Sequence, residues 1–287
     1  MASAPQAELP IFYKDLMPLN SRDHATWRAR VATKAEWLVG QHAIPLTVEE
    51  FPQAARHYPI IFASGENPVP LALMGLNEGV NVFVDAEGTI ADNIYVPAYA
   101  RRYPFILARL SPDAEELSLC FDPSCGLVGD YADGEALFDG AEPSEATKSA
   151  LQFCEQFEQA GQRTQAFIDE IKKHDLLMEG EVTIQQTGIE APFVYRGFQM
   201  INQVKLRDLR GDVLRGWAQS GLLPLLYAHV FSLDLMSNVF GMQTNQGKGP
   251  AAQSPVLATS NSLGCASLSF LSTNRLNMMS ERASLFS

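Results

Sequence analysis

Asn93–Leu110 reads NIYVPAYARRYPFILARL, and part of it occurs twice in the chain. Ala100–Ala108 (ARRYPFILA) matches Ala55–Ala63 (ARHYPIIFA) at 6 of 9 positions, 45 residues downstream. Each copy predicts the same local event. A residue before proline is pushed out of the α region, so a helix should stop at Tyr58 and at Tyr103. The apolar, β-branched and aromatic run after each proline suits a buried strand. Two helix–turn–strand units of this kind point to an α+β fold.

Working outward, Thr47-Val48-Glu49-Glu50 has capping-box form, a hydroxyl followed three residues later by a carboxylate, and predicts a short helix running to about Tyr58. Ile60–Ala63 follows as a strand. Val69–Met74 and Val80–Asp85, separated by a Gly-Leu-Asn-Glu-Gly segment, predict a hairpin, and Phe105–Leu110 with Leu117–Phe121 a second strand pair. Glu181–Gln186 and Phe193–Ile201 predict another hairpin. Asp122–Glu142 is rich in Asp, Gly and Glu and reads as a long exposed loop, while residues 21–40 predict a helix around Trp27–Trp37.

Three main helices complete the expectation. The first starts at Ser144, with Glu145 at its positive end, and carries apolar residues from Ala150 to Ile171 at one-stripe spacing. Lys172, Lys173 and His174 suit its negative end, and Gly180 is read as its stop. Val204–Gln219 is an amphipathic helix with both charge signs, and Leu223–Phe240, with Pro224 in its first turn, is the last. The predicted fold class is therefore α+β, an antiparallel or mixed sheet built from hairpins and packed by three main helices. Residues 1–20 read as a flexible N-terminal arm, 21–243 as the domain, and 244–287, serine-rich and nearly uncharged, as a disordered low-complexity tail.

The chain has 287 residues, 46% of them hydrophobic, and a net charge of −12. Residues 244–287 carry +2, which leaves −14 for residues 1–243. Such an acidic body repels phosphate backbones, so nucleic acid is not an expected partner. The four cysteines lack disulfide-framework or zinc spacing, and neither a metal nor another cofactor is expected. The N-terminus lacks the basic segment and apolar core of a cleavable signal peptide. The longest apolar stretch, Leu222–Leu233, is shorter than the roughly 20 residues of a spanning helix, so no transmembrane segment is expected. A cytoplasmic location fits these features; export to the cell surface without a cleavable signal is the alternative.

The candidate ligand-binding residues are Arg56, His57 and Tyr58 of the first copy, Arg101, Arg102 and Tyr103 of the second, and His229. Guanidinium forks and phenol hydroxyls recognise carboxylates and phosphates, so convergence of the two copies would create an anion site. The competing reading has the arginines serving helix ends and neighbouring acids, and His229 sitting in the core with a hydrogen bond. No catalytic constellation is legible: the serine elbow, phosphate loop, dinucleotide glycine fingerprint and HExxH motif are all missing from the sequence.

FPQAARHYPIIF (51–62), LALMGLNEGVNVFVD (71–85), YVPAYARRYPF (95–105), ALQFCEQFEQAGQRTQAFIDEI (150–171) and LLPLLYAHVFSL (222–233) resemble the SapC family of bacterial proteins, from about Met17 to Phe240. The family takes its name from a protein associated with a bacterial surface layer. Some members are encoded beside TonB-dependent receptors and flavin-dependent halogenase-like proteins. The resemblance implies a non-enzymatic binding or envelope-associated protein with a protein partner. The alternative is an enzyme or accessory factor acting on a peptide, amino acid or other anionic small molecule. It supplies no catalytic residues. The two readings separate on whether the arginines and tyrosines meet in one cavity.

Overall fold

The computed structural model describes residues 9–110, 116–184 and 192–249. In chain order these carry β1 (Met17–Pro18), β2 (Arg28–Ala29), β3 (Ala43–Pro45), α1 (Phe51–Ala54), β4 (Ile60–Ala63), β5 (Pro70–Leu73), α2 (Ala98–Arg101), β6 (Phe105–Ala108) and β7 (Ser118–Phe121). There follow the short strands β8 (Val128–Gly129), β9 (Glu135–Ala136), β10 (Phe138–Asp139) and β11 (Glu142–Pro143), the long helix α3 (Glu145–Lys173), and the hairpin β12 (Leu177–Ile184) and β13 (Phe193–Ile201). Four helices close the described chain: α4 (Gln203–Arg207), α5 (Gly211–Ser220), α6 (Leu222–Ser232) and α7 (Met236–Asn245). The α+β class holds.

The main sheet is antiparallel, in the order β12-β13-β4-β5-β3. Its buried residues, among them Ile44, Ile60, Phe62, Leu73 and Phe198, join Phe157, Phe167, Ile168 and Ile171 of α3 and Leu226, Met236 and Val239 of α6 and α7 in one large core. Two further three-stranded sheets, β1-β7-β6 and β8-β2-β9, enclose smaller clusters around Phe121 and around Tyr13. The two repeat copies keep their local register, since β4 and β6 each start directly after the proline. They serve different sheets, however, and the Tyr103–Pro104 bond alone of the two Tyr-Pro bonds is cis.

α3 begins as its sequence predicts, Ser144 Oγ accepting from the Thr147 N–H at 3.2 Å, and buries the expected stripe. It stops earlier than Gly180, at Lys173, and Asp175 turns the chain with a φ of +51°. Gly180 instead sits within β12, where a Cβ would lie 2.2 Å from the Phe198 ring, so the glycine is there for packing and not for helix termination.

Other expectations give way to longer-range pairing. Trp27–Trp37 is not a helix: Arg28–Ala29 is a strand between β8 and β9, and Glu36–Leu38 is one 3₁₀ turn. Asp122–Glu142 therefore carries strands in place of a plain loop. Val80–Asp85 does not pair as a hairpin strand with Val69–Met74; β5 is already flanked by β3 and β4. Val204–Gln219 breaks at Asp208–Arg210, which redirects α5 so that Trp217 Nε1 donates to Glu170 at 3.1 Å. From Pro10 to Asn20 the expected arm is tied down, with Met17–Pro18 paired to β7 and the Tyr13 hydroxyl donating to the Phe105 carbonyl at 2.8 Å. α7 runs to Asn245, and residues 111–115, 185–191 and the expected tail from 250 lie outside the described residues.

Leu222–Asn245 is long and apolar enough to cross a membrane by length and composition. In the fold one face of it, with Leu226, Met236 and Val239, packs on the main core, while Tyr227 and Phe231 are exposed. Ser232 Oγ accepts from the Ile60 N–H at 2.8 Å, His229 Nε2 from Ile201 N–H at 3.1 Å, and Gln243 Oε1 from Leu76 N–H at 2.9 Å. These three fully buried polar groups tie the helices to β4, to β13 and to the segment that follows β5.

Candidate functional site

α2 is only one turn long, and the interactions at its start decide where its arginines point. Glu50, buried at the end of the capping-box turn, uses one carboxylate oxygen to accept from the Thr47 N–H and hydroxyl at 2.8 and 2.9 Å. Its other oxygen accepts from the Ala98 N–H at 2.6 Å and the Tyr95 hydroxyl at 2.9 Å. A carboxylate at the positive end of α2 is electrostatically favoured. The turn before the first Tyr-Pro copy thus fixes the helix of the second.

From that helix Arg101 and Arg102, neighbours about 100° apart around the axis, diverge. Arg101 is exposed, its Nε donating to the Val96 carbonyl at 3.0 Å and its guanidinium lying 5.3 Å from the Phe153 ring centre. Arg102 is 4% exposed. Its guanidinium lies 4.4 Å from the ring centres of both Tyr99 and Phe157, and it pairs with Glu158 at 3.5 Å. Its Nε–H has no partner among the described residues. Burial lifts the Glu158 carboxyl above its ordinary range, against the opposing pull of Arg102.

Both arginines and Tyr103 line a cavity of about 710 Å³. The lining also takes in the segment Arg30–Leu38, with Arg30, Lys34 and Trp37. Gly88 positions that segment. Its φ is +82°, a Cβ there would lie 2.8 Å from the Glu36 nitrogen, and its carbonyl accepts from the Ala35 N–H at 2.7 Å. Only a glycine lets the Asp85–Thr89 turn press this closely on the 3₁₀ turn that carries Trp37. Asp85 braces the turn by accepting from the Thr89 and Glu87 N–H groups, and the Thr89 bond in particular holds its carboxyl below the usual range. Trp37 packs on Tyr103 with ring centres 4.9 Å apart, and its indole N–H is buried without a partner among the described residues.

The described lining contains four cations, Arg30, Lys34, Arg101 and Arg102, and neither aspartate nor glutamate. Arg30 is answered from outside by Asp133, its Nε donating at 2.9 Å, and stacks on Tyr131 at 3.7 Å. Cys154 also borders the cavity; burial pushes its thiol up to about 12, so it is the neutral, weakly nucleophilic form. Tyr103 donates to Asp122 at 3.3 Å, and burial, followed by the Asp122 charge, holds its phenol protonated well above the ordinary range.

The two copies do not converge. Arg56 is exposed and His57 half-buried, and neither borders the cavity. Tyr58 is a core residue whose hydroxyl donates to the Tyr95 carbonyl at 2.6 Å. His229 is fully buried in the main core, away from the cavity. Burial pushes it down to about 4, with a smaller opposing contribution from the Ile60 backbone, and its Nδ1 has no partner among the described residues. Of the residues named from the repeat, Arg101, Arg102 and Tyr103 border the cavity, and Arg56, His57 and Tyr58 do not. Arg30, Lys34, Trp37 and Phe153 went unread, because the first three fall in a segment read as an unremarkable helix and the fourth in the buried stripe of α3.

The model of the SapC family matches residues 19–239 of this chain. Neither the curated proteins nor the solved structures contain a match.

Proposed function

The chain belongs to the SapC family, and from that premise we propose that it is a binding protein holding an anionic small molecule in the cavity beside Arg102. The observation that carries this reading is a cavity whose described walls hold four cations, one of them the buried Arg102, and no carboxylate. Desolvated cations attract anions more strongly than exposed ones, because little water competes. The volume lies within the range of small-molecule sites.

Binding is favoured over catalysis by the chemistry of the walls. General acid–base work needs a group that titrates near the working pH. The lining offers always-charged arginines, a tyrosine held protonated and a thiol held neutral. An association with the cell envelope through a protein partner belongs to the same proposal and rests on the family name.

The test is a thermal-shift screen of the full chain against amino acids, short peptides, carboxylates and phosphates. A ligand at 100 times its Kd raises the unfolding free energy by about 2.7 kcal/mol. The expected result is stabilisation by an anion, weakened in Lys34→Ala/Arg101→Ala, both rim residues, and retained in Arg56→Ala. Stabilisation that survives the rim substitutions, or no response to any anion, overturns the reading.

A further inference from the structure

The four cations that border the cavity fall into two pairs. Arg30 and Arg102 are already answered, by Asp133 and by Glu158. Arg102 is packed among Tyr99, Phe157 and Glu158, and its Nε is closed to solvent, as is Trp37 Nε1. Recognition of a ligand cannot rest on those two nitrogens. Lys34 and Arg101 differ. Both are exposed, and neither belongs to an ion pair among the described residues. Lys34 acts on the Asp85 carboxyl only from beyond ion-pair distance. Arg101 donates from Nε to the Val96 carbonyl and from Nη2 to the Tyr95 hydroxyl at 3.4 Å, which leaves Nη1 without a partner among the described residues. The free charge of the lining therefore stands at the mouth, where the cavity meets solvent.

Further in, the lining changes character. Leu38 and Ala100 are buried, and Ile90, Val96, Leu127 and Phe153 are half-buried. The hydroxyls of Thr33, Thr89 and Ser149 belong to exposed residues, and the Tyr103 hydroxyl is engaged with Asp122. The Cys154 thiol, held neutral by burial, behaves as a small apolar group. We propose that the ligand is an amphiphilic monoanion, an aliphatic carboxylate whose head group meets Lys34 and Arg101 at the mouth while its hydrocarbon chain lies along the apolar walls; this rests on the anion-site reading above. A second charge would have to enter the apolar interior, where a charge without a partner is costly. The volume of about 710 Å³ exceeds what a small inorganic anion fills. Most of the walls are branched aliphatic side chains from separate segments, a surface that a flexible hydrocarbon follows better than a rigid plane.

Isothermal titration of the full chain tests the class with butanoate, octanoate, 1-octanol, succinate and inorganic phosphate. A fully buried methylene strengthens binding roughly fourfold, so octanoate should bind at least about tenfold tighter than butanoate, succinate or phosphate. 1-Octanol, which lacks the head-group charge, should also bind at least about tenfold more weakly than octanoate. In Lys34→Ala/Arg101→Ala, octanoate should fall to the affinity of 1-octanol while 1-octanol keeps its own. Ala150→Phe, which fills the cavity from α3, should abolish binding of both; Phe231→Ser, which removes an exposed ring on α6, should change neither. The rim variant alters exposed residues only, so it decides the matter even where Ala150→Phe lowers the melting temperature. Butanoate, succinate or phosphate matching octanoate overturns the amphiphile and leaves the anion site standing. 1-Octanol matching octanoate, or no binding by any anion, overturns both. Octanoate held equally well by folded Ala150→Phe, or lost in Phe231→Ser, puts the ligand outside the cavity and overturns the assignment.

Discussion

Arg102 and His229 are both buried and ionisable, and they meet burial in opposite ways. Arginine cannot shed its charge, so Arg102 is surrounded by two ring faces and Glu158. Arg102→Met would leave the Glu158 carboxylate half-buried and unpaired. Breaking such a pair is costly, and with Glu158 part-exposed the expected loss is about 2 kcal/mol by urea unfolding. Arg102→Met/Glu158→Leu should recover most of it; a double variant no better than the single one would show that the pair is not the cause. Histidine can shed its charge, and His229 does. It stays neutral down to about pH 4, whereas an unfolded histidine titrates near 6.5. The unfolded chain therefore takes up the extra proton first as pH falls, and stability drops between pH 6.5 and 4 by roughly 3 kcal/mol from this group. His229→Gln retains an acceptor for Ile201 and cannot titrate. Its unfolding free energy should fall less steeply with acid over that window, and parallel pH profiles would refute the assignment.

Among the elements, the short ones that frame the cavity depend on backbone approach more than on propensity. Gly88→Ala combines a positive φ with a Cβ against the backbone of Glu36. It should destabilise by about 2 kcal/mol and, by moving the turn that carries Trp37, reduce the stabilisation by an anion in the thermal-shift screen. A variant of normal affinity would mean that the Asp85–Thr89 turn does not position Trp37. The sequence made some of these elements readable. Proline and its neighbour fixed the start of β4 and of β6, and the apolar stripe located α3. It could not say which strands meet, because Met17 pairs with Phe121 and Phe198 with Ala63, contacts made across long stretches of chain. The lining of the candidate cavity was legible only in part for the same reason. Arg101, Arg102 and Tyr103 sit in a distinctive repeat, whereas Arg30, Lys34 and Trp37 reach the cavity only through that long-range topology.

Across the whole molecule the apolar interior is uneven. One large core joins the five-stranded sheet to α3, α6 and α7, while the cluster holding Phe121, Val128, Leu137 and Phe138 is small. Regions with little buried apolar contact open at lower free energy. Amides of β6 and β7 should exchange hydrogen at least about tenfold faster than those of β4, a gap of ~1.4 kcal/mol. The cavity draws its walls from both regions, with Leu38 and Ala100 on one side and Phe105 and Leu127 on the other. A bound anion should therefore slow exchange in β6 as well as in β4, because each opening has to release it; β6 amides that keep their ligand-free rate would show that their opening does not disturb the cavity.

The chain has three tryptophans, and they occupy three different settings. Trp27 lies against His24 and Phe121 in the small cluster, Trp217 donates to Glu170 under α5, and Trp37 stands in the cavity wall. The consequence is optical. An anion bound in the cavity beside Trp37 changes the emission of one indole while the other two serve as an internal baseline, so the chain supplies its own occupancy signal. The fraction of fluorescence that responds to ligand in the native protein should be silent in Trp37→Phe, whose remaining emission then follows unfolding alone.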